Sequence, residues 1–93
     1  MSNKLDDQFF DRADAVINLA NTYLEQVTRG KVSAPLLYAT ARFNSWVSAC
    51  GFENRDDMEE MKEETIEYFV QEYRKMLDEN LTDYIDIFDK YMR

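Results

Sequence analysis

The chain has no histidine, one cysteine, one proline and two glycines among its 93 residues. Without histidine there is no ordinary Ser-His or Cys-His catalytic pair. The Glu-x-x-His pairs that di-iron carboxylate bundles draw from facing helices cannot be built either. A lone Cys50 forms no intramolecular disulfide, so nothing points to an oxidising compartment. So few glycines and prolines leave little for hairpin turns, and no Asn-Gly or Asp-Gly pair separates alternating strands. There is no Gly-rich phosphate loop. No apolar run approaches the ~20 residues needed to cross a bilayer. The start, MSNKLDDQFF, lacks the basic and apolar regions of a secretory signal. These absences predict a cytoplasmic protein that is not an enzyme, with no catalytic, cofactor-binding or metal-binding residues.

What is present is material for a helical core, 45% hydrophobic and 14% aromatic residues. A chain this short makes one domain, 1–93, since half of it could not hold a core. The stretch Val32 to Phe52 contains one charged residue, Arg42, in a chain that is 32% charged. Such a stretch must be covered on most sides. The charge is uneven: residues 1–31 are net −1, residues 32–52 net +1 and residues 53–93 net −8, giving −8 in all. An acidic surface repels phosphate and anionic lipid, so neither nucleic acid nor membrane is an expected partner.

Helical periodicity runs through the whole chain. The first helix is expected from Asp6 or Asp7, either of which can cap it, to Arg29, with Gly30 as its stop. Its apolar face is Phe9, Ala13, Val16, Ala20, Tyr23, Leu24 and Val27. A second helix is expected from a Ser33 cap, with Pro35 in its first turn, to Gly51. It carries a wide apolar face around Leu36, Phe43, Trp46, Val47 and Cys50 and a smaller one at Leu37, Ala41 and Ser48. That makes it the middle layer, with Cys50 buried and inert and Asn44 in a buried hydrogen bond. Asn54 caps the third helix, with Asp56 and Asp57 in its first turn. Met58, Ile66, Phe69, Val70, Tyr73 and Leu77 line its apolar side. A helix from Arg55 to Tyr91 would be roughly 55 Å long, more than twice what the second can match. A break near Asn80 is therefore expected, with Thr82 capping a short fourth helix. The alternative is an unbroken helix whose overhang packs on a second copy. The fold class is all-α: a compact bundle of three main helices with a short C-terminal fourth helix or bent extension.

Three segments, DRADAVINLAN, RGKVSAPLLYATARFNSWVSACGF and ETIEYFVQEYRKMLDENLTDYI, taken in this order, resemble a small family of proteobacterial proteins of unknown function, DUF3144. The resemblance covers nearly the whole chain, and the second segment is its most specific part. It implies a bacterial, cytoplasmic protein and brings no activity, cofactor or catalytic residue.

Glu59, Glu60, Glu63, Glu64 and Glu67 could in principle bind a cation along one helix face. They fall opposite the apolar side and near the positive end of the helix, which makes them a solvated face. Asp83, Asp86 and Asp89 lack the spacing and glycine of an EF-hand loop. A helix-turn-helix around CGFEN is excluded because the helix that would enter the groove begins NRDDMEEMKEE. One strip remains, Tyr38, Arg42, Ser45, Trp46 and Ala49, at the edge of the least charged helix. Tyr, Arg and Trp are the residues that concentrate binding energy at interfaces. The competing reading places Tyr38 and Trp46 in the core, with Arg42 paired to an acid of the third helix. The sequence thus suggests an interaction module that binds a protein partner, or itself as a homo-oligomer, through the second and C-terminal helices. The alternative is an acidic inhibitor or nucleic-acid mimic acting through the third-helix carboxylates.

Overall fold

The computed structural model describes residues 6–92. The chain is all-α and, among the described residues, contains no strand. Its helices are α1 (Phe9–Tyr23), α2 (Arg29–Ala49), α3 (Arg55–Glu60), α4 (Lys62–Asp86) and α5 (Phe88–Met92). The three long ones, α1, α2 and α4, are the three main helices that the periodicity predicts, and α5 is a short C-terminal helix. The chain divides into two units, residues 1–48 and residues 49–93.

In the first unit, α1 starts after Gln8, whose side chain makes no cap. Asp6 contributes from two residues earlier. Its Oδ1 accepts from the Gln8 N–H at 3.0 Å, and its Oδ2 takes the Arg12 guanidinium at 2.6 Å. That ion pair holds the Asp6 carboxyl below its ordinary value, the Arg12 hydrogen bond being the main cause. The helix ends at Tyr23, earlier than expected. Its carbonyl accepts from both Gln26 and Val27, closing a turn that leads directly into α2.

Gly30 is not the stop of α1 but part of the first turn of α2. It has no positive φ, so it behaves as an ordinary helical residue where the N–H has no helical partner anyway. Ser33 therefore lies inside the helix rather than capping it. Pro35 lies beyond the first turn, where its ring removes the N–H that would reach the Lys31 carbonyl.

In the second unit, Asn54 is the cap of α3. Its backbone is extended, and its side chain accepts from the Asp57 N–H at 2.9 Å. Asp56 and Asp57 occupy the first turn, where the helix dipole favours them. A discontinuity follows at Met61, whose N–H is shared between the Asp57 and Met58 carbonyls. No glycine or proline marks it. From Lys62 the helix runs unbroken through Asn80 and Thr82 to Asp86. The break expected near Asn80 falls instead at Ile87, with φ −124° and ψ 38°.

No described residue is buried. Phe9, Ala13 and Ala20 are partly covered in α1, as are Val32, Leu36, Asn44 and Ser48 in α2. Of the wide apolar face expected on α2, only Leu36 is among them. Phe43, Trp46 and Val47 stand exposed. Cys50, expected to be buried, is exposed as well. Asn44 is partly covered but makes no side-chain hydrogen bond among the described residues, so it fixes no register there.

Candidate interaction surface on the second helix

Residues four, seven, eight and eleven positions apart recur on one side of an α-helix. Tyr38, Arg42, Ser45, Trp46 and Ala49 have that spacing within a single uninterrupted helix, so α2 carries them as one strip. All five are exposed. Tyr38 is 70% exposed and Trp46 62% exposed. Among the described residues no ion pair involves Arg42.

Two hydroxyls on this helix are turned to its own backbone. Ser45 Oγ donates to the Ala41 carbonyl at 2.8 Å, and Thr40 Oγ1 to that of Leu36 at 2.9 Å. What the strip offers is apolar area and the Arg42 guanidinium. Phe43 extends it, its ring 5.8 Å from that of Trp46 and tilted by 42°. The sequence reading left Phe43 in the core. Its position three residues before Trp46 was the available signal that the two rings belong together.

The acidic face behaves differently. Glu59, Glu60, Glu63, Glu64 and Glu67 are all exposed. Glu59 pairs with Arg55 at 2.9 Å, and Glu67 accepts from Gln71 at 3.1 Å. Among the described residues no group of three or more His, Cys, Asp or Glu is placed to hold a metal ion. Further along α4, Glu72 pairs with Lys75 at 2.8 Å and holds its ammonium above the ordinary value, chiefly through that hydrogen bond. Exposed pairs of this kind add little to stability.

At the end of the second unit, Tyr84 and Tyr91 bring their rings to 4.7 Å across the Ile87 discontinuity. The Tyr91 hydroxyl donates to Asp83 Oδ2 at 3.4 Å. The negative charge of Asp83 pushes that phenol above its ordinary value. This contact fastens α5 to α4 and keeps two aromatic rings at the surface.

Among the described residues no helix is long and apolar enough to cross a membrane. The helices define a small all-α protein, with an exposed aromatic strip on α2. The chain belongs to the family described as a protein of unknown function, DUF3144, whose model matches residues 9–85. It is similar to the protein NB7890A from Shewanella sp., whose NMR structure matches with a TM-score of 0.79 at 38% identity. That match covers 97% of this chain and 95% of the other. No curated protein matches the chain.

Proposed function

We propose that this protein is a cytoplasmic, non-enzymatic interaction module that binds protein through α2 and the C-terminal helix. The observation that carries the reading is the Tyr38–Arg42–Trp46 strip, with two large aromatic side chains exposed beside an arginine that has no ion-pair partner among the described residues. Residues of these types contribute most of the energy at protein interfaces when they become desolvated. The chain has no histidine to serve as a general base. A net charge of −8 weighs against nucleic acid and anionic membrane as partners.

The test is affinity capture from a native extract with the wild type beside Arg42→Glu, at low and high salt. Loss of a stoichiometric partner in the variant is the expected result. Equal capture by both proteins, at either salt concentration, would overturn the assignment to α2. Capture insensitive to Arg42→Glu but lost at high salt would instead favour the acidic inhibitor or nucleic-acid mimic. That reading draws on the exposed carboxylates of α3 and α4, and contacts of that kind are screened by salt.

A further inference from the structure

We infer that the C-terminal end of the chain is a two-position arm: bent at Ile87, or straight, with α4 running on through Ile87 to Met92. Ile87 gives its N–H to the Asp83 carbonyl at 3.3 Å and so closes α4. Its own carbonyl accepts from Lys90 at 3.0 Å and from Tyr91 at 3.1 Å and so opens α5. One residue thus serves both helices, with φ −124° and ψ 38° where a helix takes about −63° and −42°. The run from Leu81 to Met92, LTDYIDIFDKYM, holds neither glycine nor proline, so nothing in it forbids helix at Ile87. In a straight arm the Lys90 N–H would pass from the Ile87 carbonyl to that of Asp86, exchanging a tight turn for a regular helical bond.

Against that gain, the bend carries two contacts that a straight helix could not make. Tyr84 and Tyr91 would lie about 10 Å apart along a continuous axis, with their side chains tilted the same way. Across the bend their rings come to 4.7 Å at an interplanar angle of 52°. Asp83 and Tyr91 would be about 12 Å apart in a straight arm, yet here the hydroxyl reaches Asp83 Oδ2 at 3.4 Å. One aromatic pair and one hydrogen bond of that length are weak contacts, comparable with what a regular helical turn gains. The two positions are therefore close in free energy. Straightening sets Leu81, Ile85, Phe88 and Met92 in one stripe at helical spacing, and whatever engages either tyrosine ring shifts the arm toward that position. The arm is separate from the α2 strip and is tested apart from it.

NMR of the full chain gives the test, through the Cα chemical shift of Ile87 and through-space contacts across the bend. The wild type should show contacts between the Tyr84 and Tyr91 rings and an Ile87 shift short of the helical value. Tyr91→Ala removes both bend contacts. It should move the Ile87 shift to the full helical value and add the Tyr84–Ile87 and Ile85–Phe88 contacts of a continuous helix. Should Tyr91→Ala fail to fold, Tyr84→Ala, which removes the other ring, decides by the same readout. A variant in which residues 88–92 lose helical shifts altogether overturns the inference, as does one in which Ile87 stays non-helical. A wild type already helical at Ile87, with no contact between the two rings, overturns it too.

Discussion

The side-chain nitrogen of Asn80 donates to the carbonyl oxygen of Met76 across 2.7 Å, one turn back along the same helix. Asparagine often ends helices because its side chain competes for backbone groups. Here it bonds within the helix it occupies, and α4 continues past it. Thr82, two residues on, therefore sits in a helix interior and caps nothing. Thr82→Ala is expected to raise stability by about 0.5 kcal/mol, since alanine has the higher helix propensity. A threonine acting as a cap would give the opposite sign, a loss of about 1 kcal/mol. Urea midpoints of the two proteins distinguish these outcomes.

Asn54 is the residue whose side chain does cap a helix. Asn54→Ala should lower stability by about 1 kcal/mol, because the Asp57 N–H loses its acceptor. Asn54→Ser should recover most of the loss, as serine caps nearly as well. Equal stability of Asn54→Ala and wild type by chemical denaturation would contradict the assignment.

The start of α2 gives a pair of stabilising substitutions. A methyl group added at Gly30 meets no atom within 4 Å, and the residue has no positive φ. Gly30→Ala should therefore gain about 0.5–1 kcal/mol. Pro35→Ala restores a helical N–H and should gain up to about 3 kcal/mol. Both raise the thermal midpoint if α2 begins at Arg29. If it began at Ser33, Gly30 would lie outside it and Gly30→Ala would bring no gain of helix propensity.

Tyr91 provides a pH signature for the α4–α5 contact. Its phenol is held above the ordinary value of 10.0, first by the charge of Asp83. A group raised on folding adds stability that is complete below its unfolded value and is lost as pH rises through its folded value. The docking of α5 should thus persist at neutral pH and fail only in alkali, above about 10. Asp83→Asn should return the Tyr91 titration to the ordinary range, read by NMR of the labelled ring carbons. An unchanged titration would show that the two residues do not interact in solution.

The all-α class and the three main helices were legible because apolar residues recur at the helical spacing throughout, and the Asn54 cap because Asn-x-Asp-Asp precedes a periodic run. The boundaries that misled share one cause: a residue type was given its commonest role. Gly30 and Ser33 read as a stop and a cap, yet the turn at residues 24–27 had already ended α1. Asn80 read as a breaker through a length argument, yet its side chain bonds back to Met76 and the helix continues. Periodicity identifies an apolar face but not what covers it, so the exposure of Trp46, Phe43 and Cys50 was beyond its reach. The discontinuities at Met61 and Ile87 occur without glycine or proline, and no local signal announces them.

The central claim is that the aromatic strip of α2 binds another polypeptide. Trp46 is the only tryptophan, so its fluorescence reports on that strip alone. The measurement is the emission spectrum of the wild-type chain before and after addition of the protein it captures. The account predicts a long-wavelength spectrum for the chain by itself that shifts to shorter wavelength as the partner is added. A short-wavelength spectrum that the partner leaves unchanged would mean that the chain covers Trp46 itself and would contradict the account.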